Sequence, residues 1–194
     1  QTVALSGGAF DITHQYLDDN PTNTASDVYT VAVTLTDDDT GTDTGSVDTT
    51  ITNVDPVIDS LAVTSVDENG IVHLTGTYSD VGTQDSHEIT INWGEGLPQT
   101  VALSGGAFDI THQYLDDNPT NTGSDVYTVN VTVTDDDTGT DTGSVETTIN
   151  NVNPVIDTLA VTSVDENGTV HLTGSYSDVG TQDTHEITID WGEG

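Results

Sequence analysis

The stretch QTVALSGGAFDITHQYLDDNPTNT, residues 1–24, recurs unchanged at residues 99–122. The two copies start 98 residues apart (99 − 1 = 98), and most of the positions that follow are identical as well. Most of the differences between the copies are conservative substitutions, such as Leu35 in one copy and Val133 in the other. A period near 100 residues is too long for a solenoid repeat and corresponds to one whole domain. The sequence therefore predicts a tandem array of a single domain type.

The first residue of the sequence does not coincide with the first residue of a repeat. Linker-like segments at residues 53–56 and 151–154 each precede a new predicted strand. We therefore expect the back half of one repeat (1–55), one complete repeat (56–153) and the front half of another (154–194). Two interpretations stay open: a window from one continuous polypeptide, or a subunit whose halves complete those of its neighbours in a head-to-tail polymer. An intact mass of the native protein near 20.3 kDa would support the second.

Alternating apolar and polar residues predict an all-β fold with seven strands in the complete repeat. Valine, isoleucine, tyrosine and threonine suit pleated, half-buried strands. One tryptophan on the third of seven short strands is typical of an immunoglobulin-like sandwich. We label the predicted strands A to G, at about 57–64, 71–79, 87–93, 99–103, 107–114, 127–134 and 143–151. By the same pattern residues 1–55 should contain strands D to G of their repeat, and residues 154–194 strands A to C of theirs.

Three ordered motifs in the complete repeat resemble a known family. Trp93-Gly-Glu-Gly96, His112-Gln-Tyr114 and the segment Tyr127–Asp135 resemble the signatures of the polycystic-kidney-disease (PKD) domain, although Glu95 stands where that family usually has aspartate. The resemblance implies tandem immunoglobulin-like, seven-stranded β-sandwich repeats of the kind found in bacterial and archaeal surface proteins and in secreted hydrolases. In those proteins the module is a spacer, an adhesive element or an accessory binding domain without catalysis of its own.

The charge of the chain limits its partners. The chain has thirty-four acidic residues and no lysine or arginine, so its formal net charge is −34. Nucleic acids and anionic membranes are therefore excluded as partners, because phosphate binding needs basic side chains. No apolar run is long enough to cross a bilayer, and the lack of cysteine excludes disulfides and thiol chemistry. Cations are the natural counter-charge.

Acidic side chains concentrate in loops that should meet where consecutive repeats touch. In an immunoglobulin-like sandwich the AB and EF loops lie at the exit end of a domain and the BC and FG loops at its entry end. Calcium takes six to eight oxygen ligands and suits such a cluster. The arrangement resembles the inter-domain calcium sites of cadherins in geometry, although cadherin motifs are not matched. The candidate ligands at the first junction are Asp18, Asp19, Asn53, Asp55, Asp80, Asp85, Asp135, Asp136, Asp137 and Asp141. Those at the second junction are Asp67, Glu68, Asp116, Asp117, Asn151, Asn153, Asp178 and Asp183.

Two other interpretations of the acidic residues stay open. Aspartate is common in turns, where it accepts hydrogen bonds from the backbone. A uniformly acidic surface can also hold water and salt, as in halophilic proteins. The loop starting at Asp135 is not an EF-hand, because its glycine falls at the fifth place and strands flank it.

No enzymatic site is expected. His112 alternates with apolar residues and should be a core histidine, His73 should face solvent, and His87 lies at the edge of the BC loop. No serine has a setting that would activate it as a nucleophile. We expect a structural segment of an extracellular filament or large surface adhesin, secreted or on the cell surface, whose partners are neighbouring repeats or copies of itself. The alternative is a carbohydrate-binding or spacer module of a secreted protein. Carbohydrate-binding modules usually expose aromatic side chains that stack on sugars, whereas Trp93 and Trp191 are expected in the core.

Overall fold

The computed structural model describes residues 1–193; Gly194, the last residue of the predicted third segment, lies outside the described residues. Within residues 1–193 the chain has twelve strands and no helix, so the predicted all-β class is confirmed. None of this described part could cross a membrane as a helix. The strands are β1 (Ser26–Thr36), β2 (Thr42–Thr52), β3 (Val57–Val63), β4 (Val66–Asp67), β5 (Ile71–Ser79), β6 (His87–Asn92), β7 (Gln99–Leu103), β8 (Ala107–Gln113), β9 (Ser124–Asp135), β10 (Thr140–Asn150), β11 (Val155–Val161) and β12 (Leu172–Ser177).

Residues 56–153 contain two sheets that share one core, an arrangement consistent with a β-sandwich. One sheet has the order β3-β5-β8 and the other the order β4-β10-β9-β6-β7. All neighbouring pairs are antiparallel except β10 with β4, which is parallel. Buried side chains from both sheets fill the space between them: Val72, Leu74, Tyr78, Ile89, Ile91, Trp93, Tyr114, Tyr127, Val129, Val131, Val133 and Ile149.

The alternation that predicted the strands also predicts their buried faces. In β9 every second residue is buried, and Val129, Val131 and Val133 point inward as expected. His112 is half-buried, stacks on Trp93 with 4.8 Å between ring centroids, and lies 2.9 Å from a Glu95 carboxylate oxygen. The predicted core histidine therefore lies at the edge of the core, with its side chain 25% exposed, and His73, on the outer face of β5, is exposed as predicted.

Two details of the complete repeat were not anticipated. The short β4 adds an eighth strand, which pairs with the end of β10. The strand predicted as D, β7, pairs with β6 in the larger sheet. The next strand in the sequence, β8, belongs to the other sheet. The chain crosses from one sheet to the other at Gly105 and Gly106, both at positive φ. Glycine adopts this backbone conformation without steric cost.

The two end segments form only part of their predicted strands. Residues 1–55 contain β1 and β2 but no strand at 1–5 or 9–15, and residues 154–193 contain β11 and β12 but no strand at 185–190. The sequences at 1–5, 9–15 and 185–190 are nearly those of β7, β8 and β6. A strand needs a paired neighbour, and the neighbours of these three segments lie in the part of the repeat that each end lacks.

The fold places the acidic loops at opposite ends of the complete repeat. Glu68 comes just before β5 and Asp80 just after it. Nine residues at about 3.3 Å each separate the two ends by roughly 30 Å. We call the contact of residues 1–55 with 56–153 junction 1, and that of 56–153 with 154–193 junction 2.

Candidate metal sites at the inter-repeat junctions

Junction 1 brings together carboxylates from both sides of the first linker. One group consists of Asp18 from the first segment with Asp85 and Asp137 from the complete repeat; a second consists of Asp80, Asp85 and Asp135. In each group the carboxylate oxygens lie within 4.8 Å of one another. Asp85 belongs to both groups, so the two form one continuous acidic cluster.

The loop between β9 and β10 is held in shape by its own first acid. Asp135 Oδ1 accepts hydrogen bonds from the backbone N–H groups of Asp137 (3.0 Å) and Gly139 (2.6 Å). Its other oxygen accepts a bond of 2.8 Å from the Asn53 side chain in the linker. A Cβ at Gly139 would lie 2.4 Å from Asp135 Oδ2 and 2.7 Å from Asp55 Oδ1. A side chain at position 139 would therefore displace the acids and the amide that pack against this loop.

Several carboxylate oxygens in junction 1 are buried without a hydrogen-bond partner. They are Asp19 Oδ2 and both side-chain oxygens of Asp85. Asp19 and Asp137 are each only 3% exposed. Burial, followed by the charge of Asp19, raises the pKa of Asp137 to about 6. Burial, followed by Asp80 and Asp18, raises the pKa of Asp85 to about 6. A buried, unpartnered carboxylate is costly, and a bound cation is one way to relieve that cost.

Junction 2 has the same character and shares two loop types with junction 1: Asp116, Asp117, Asp178 and Asp183 are the equivalents of Asp18, Asp19, Asp80 and Asp85. Glu68, Asp116 and Asp117 from the complete repeat meet Asp183 from the last segment, with oxygens within 4.8 Å of one another. The first three are buried, and Glu68 is 1% exposed. Glu68 Oε2, Asp117 Oδ2 and, nearby, Asp178 Oδ1 have no hydrogen-bond partner. Burial is the largest cause that raises the pKa of Glu68, Asp117 and Asp183.

Glu68 spans the second linker. Its Oε1 accepts a hydrogen bond of 2.5 Å from the backbone N–H of Val152, which fixes the side chain. Its Oε2 reaches the loop after β12, where a Cβ at Gly180 would lie 2.2 Å away. The same Cβ would lie 2.5 Å from Asp183 Oδ2. One carboxylate of the complete repeat is thus inserted into the loop of the next segment.

A histidine positions one acid in each cluster. His87 Nε2 lies 2.8 Å from Asp80 Oδ2, and His185 Nε2 lies 2.7 Å from Asp178 Oδ2. The His185 bond, opposed by burial, lowers the pKa of Asp178. The prediction that His87 lies at the edge of the loop is confirmed, and its ring nitrogen is committed to a carboxylate.

Of the candidate ligands named from the sequence, the structure assembles eleven into the two clusters or directly against them. They are Asp18, Asp19, Asp80, Asp85, Asp135 and Asp137 at junction 1, and Glu68, Asp116, Asp117, Asp178 and Asp183 at junction 2. The remaining seven are Asn53, Asp55, Asp67, Asp136, Asp141, Asn151 and Asn153. The four acids among them belong to none of the groups, and Asn53 contacts the cluster through its hydrogen bond to Asp135.

Several of these seven have a clear structural contact instead. Asp141 accepts backbone hydrogen bonds from Ile58 and Thr142, both at 2.8 Å, and so anchors the start of β3. Asp136 accepts one from Ser86 at 2.8 Å. Asp67 contacts Asn150 at 3.3 Å. These residues therefore connect distant parts of the chain by hydrogen bonds, which neither the ligand nor the turn-aspartate interpretation anticipated.

Sequence reasoning missed a structural acid beside each cluster. Asp125 is buried and accepts hydrogen bonds from the Thr120 backbone N–H (2.9 Å) and hydroxyl (2.8 Å). Asp27 does the same for Thr22 in the preceding repeat. These bonds hold the loop that carries the paired acids Asp116–Asp117. The signal was present in the sequence, as an aspartate five residues after a loop threonine in both copies.

The donor set of both clusters determines which cations they suit. It consists mainly of carboxylate oxygens, since the chain has no cysteine. The exception is His185 at junction 2, which groups with Asp178 and Asp183 and is hydrogen-bonded to Asp178. Carboxylate and carbonyl oxygens favour hard divalent ions such as calcium, magnesium and manganese. Both junctions therefore have the chemistry of a hard-cation site that joins two repeats.

Compared with models of known protein families and with curated protein sequences, the chain matches none.

Proposed function

We propose that this chain is a structural segment of an extracellular filament or a large surface adhesin, made of PKD-type immunoglobulin-like repeats that calcium stiffens at each junction. One observation carries the proposal: carboxylates from consecutive repeats converge within 4.8 Å, and several of their oxygens are buried without a partner. Turn aspartates and a water-binding acidic surface both account for exposed acids. Neither accounts for buried oxygens that lack a hydrogen bond.

Calcium is the cation we favour among the hard divalent ions. It accepts six to eight oxygen ligands in irregular geometry, whereas magnesium needs a near-ideal octahedron and retains several waters. Junction 2 offers four carboxylates in one group, and junction 1 offers two groups that share Asp85. Extracellular modules bind calcium with Kd on the order of 10⁻⁴–10⁻³ M, which suits a secreted or surface location.

The mechanical consequence follows from where the charges lie. With no lysine or arginine in the chain, acids that meet across a linker repel each other. Without a cation the repeats would swing apart about the linker. With one bound, ligands from both repeats hold a fixed angle, so the array becomes a rod. We propose no catalytic role.

Distances between spin labels across junction 1 test this proposal directly. The chain lacks cysteine, so in a double variant that combines Thr44→Cys with Thr75→Cys only these two exposed positions react with the spin label. We expect a broad distance distribution in EGTA and a narrow one in calcium, with magnesium at the same ionic strength less effective. Equal widths in EGTA and calcium, together with equal melting temperatures, would refute the calcium-stiffened array.

A further inference from the structure

The two acidic groups of junction 1 draw their residues from different repeats. Asp80, Asp85 and Asp135 all belong to the complete repeat, and we call them the inner group. The second group combines Asp18 of the preceding repeat with Asp85 and Asp137, and we call it the linking group. The inner group is formed by one folded repeat, whereas the linking group forms only when two repeats are docked.

The same division recurs at junction 2. Asp178, Asp183 and His185 lie together on the last segment, and Asp183 also groups with Glu68 and two further acids of the complete repeat. Asp183 is the equivalent of Asp85, 98 positions later. The acid at this position therefore belongs to both the inner and the linking group at each junction.

Asp85 has two free oxygens with which to serve both groups. Both of its side-chain oxygens are buried and accept no hydrogen bond from the described residues. The carboxylate packs against its own loop, where a Cβ at Gly82 would be 2.1 Å from Asp85 Oδ2. A carboxylate that offers one oxygen to each of two metal ions holds them roughly 4 Å apart. Asp85 can therefore bridge two cations.

Each kind of group also contains an acid that is almost fully buried and lacks a partner. In the inner group of junction 2 the Asp178 side chain is 4% exposed, and its Oδ1 accepts no hydrogen bond from the described residues. In the linking group Glu68 and Asp117 are 1% and 5% exposed, and each has one such oxygen. A turn aspartate would accept backbone hydrogen bonds at these oxygens. Each kind of group thus has an acid that a cation of its own would satisfy.

Size and charge both favour two ions rather than one. Calcium binds oxygens at about 2.3–2.6 Å, so the ligands of one ion are at most about 5 Å apart. The oxygens of each group lie within 4.8 Å of one another, which is the size of a one-ion site. Six acids lie in or against the clusters of junction 1, and the chain has no lysine or arginine. One divalent ion compensates two of these six negative charges, whereas two ions compensate four.

We propose that each junction holds two hard divalent cations, an inner ion within one repeat and a linking ion between two repeats, which share the carboxylate of Asp85 or of Asp183. The two ions bind in order, the inner one first. This inference rests on the calcium function proposed above and specifies how its site is filled.

The order of binding follows from where the ligands lie. The inner site needs no neighbouring repeat, so its ion binds at the lower calcium concentration. Once bound to one oxygen of Asp85, this ion fixes the direction of the other oxygen, which no hydrogen bond from the described residues fixes. The linking ion must also hold two repeats at one angle, which costs conformational entropy of the linker. An array with one ion per junction is therefore still flexible, and only the second ion makes it rigid.

Two variants each remove a ligand from one group only. Asp18 belongs to the linking group alone and Asp80 to the inner group alone. Asparagine at position 80 can still accept the Gly82 backbone N–H and contact the His87 ring, so the loop keeps its hydrogen bonds. We compare the variants at the lowest calcium concentration that saturates the unmodified chain. Equilibrium dialysis should show that Asp18→Asn loses one bound ion and Asp80→Asn loses two.

Spin labels and a matched variant check what the lost ions do. With the labels at positions 44 and 75 in place, both Asp18→Asn and Asp80→Asn should keep a broad distance distribution across junction 1 at this calcium concentration. Asp136→Asn makes the same charge change beside the clusters, so it should lose no ion and narrow like the unmodified chain. Equal ion losses in Asp18→Asn and Asp80→Asn, or a narrow distribution in Asp80→Asn, would overturn the proposal.

Lanthanide luminescence tests the two-ion site without any substitution. Terbium and europium bind oxygen ligands as calcium does, and an excited terbium ion transfers its energy to europium only over short distances. Two ions in one junction are roughly 4 Å apart, whereas the other junction is roughly 30 Å away. Replacing half of the bound terbium by europium should therefore shorten the terbium lifetime severalfold. An unchanged lifetime would overturn the proposal, even if Asp80→Asn failed to fold.

These outcomes separate the two-ion site from the calcium proposal. Calcium can narrow the distance distribution while Asp18→Asn and Asp80→Asn each lose one ion and the terbium lifetime is unchanged. In that case calcium stiffening stands and the two-ion site fails. If europium shortens the terbium lifetime but calcium neither binds nor narrows the distribution, the two-ion site stands and calcium stiffening fails.

Discussion

The Glu68 carboxylate lies so close to Gly180 that a Cβ there would be 2.2 Å from Oε2. The two residues belong to consecutive repeats, and the contact is possible because position 180 has no side chain. Glu68 is buried, with one oxygen bonded to Val152 and the other unpartnered. This contact explains how an acid from one repeat enters a cluster completed by the next.

Gly180→Ala should displace Glu68 from junction 2. The nearest atoms are the ends of flexible side chains, so the fold should adjust while the cluster loses its geometry. We expect calcium affinity at junction 2 to fall, measured by isothermal titration, with little change in the melting temperature in EGTA. Gly123→Ala is the matched control, since nothing lies within 4 Å of its Cβ position and the equivalent residue 25 is alanine. Equal calcium affinity in both variants would contradict this role of Gly180.

Glu68→Gln should have opposite effects with and without calcium. Glutamine keeps an oxygen to accept the Val152 hydrogen bond but removes the negative charge. With calcium present, the loss of one of four carboxylates should weaken binding at junction 2 on the order of tenfold or more. In EGTA the variant should be as stable as the unmodified chain or more so, because a buried repulsive charge is gone. Glu88→Gln, on an exposed position of β6, is the charge-matched control. A loss of stability in EGTA would indicate that Glu68 is structural rather than a ligand.

Asp85→Asn should weaken both cation positions of junction 1. Asp85 is shared by the two groups there, and both of its side-chain oxygens lack partners. We expect the calcium stoichiometry of the 194-residue chain to fall, measured by titration in the presence of a chromophoric chelator. Asp136→Asn is the control: Asp136 lies outside both groups, and asparagine can still accept the Ser86 hydrogen bond. If the two variants lost calcium equally, the site would not be centred on Asp85.

Metal-free stability should fall as pH rises from about 4 to about 6. In the folded chain the pKa values of Asp85 and Asp137 are raised to about 6, whereas an unfolded aspartate titrates near 3.9. Between these values the folded state holds protons that the unfolded state has lost, so raising the pH favours unfolding. Urea unfolding in EGTA at several pH values measures this slope. Calcium should abolish it, because the cation favours the ionised acids, and calcium should bind more weakly below about pH 6. A metal-free stability that rises with pH across this window would contradict the assignment.

The repeat period and most strands were predictable because both can be identified from the order of residues alone: the period from the recurring segment, and the strands from alternating apolar and polar residues. Alternation places Ile89 and Ile91 on one face of β6, with Trp93 directly after its end, without knowledge of any distant contact. The two-residue β4 has too few residues for alternation to detect. Strands 1–5, 9–15 and 185–190 were expected from their sequences and are not formed, since a strand depends on a neighbour that periodicity does not report.

The location of the clusters was also predictable, but not the role of each acid. Loop order alone brings Asp18 near Asp85 across the first linker. Whether an aspartate accepts backbone hydrogen bonds, as Asp141 does, or stays unpartnered, as Asp85 does, depends on the conformations of the loops around it. The Gly180 contact was likewise invisible, because a missing side chain is informative only when its neighbour is known.

A crystal structure of the chain crystallised with calcium tests the central claim most directly, with diffraction data collected at a wavelength where calcium scatters anomalously. We predict anomalous peaks at junction 1 among Asp18, Asp85 and Asp137, and at junction 2 among Glu68, Asp117 and Asp183. Junctions that contain only water at saturating calcium, with these acids turned outward to solvent, would contradict it.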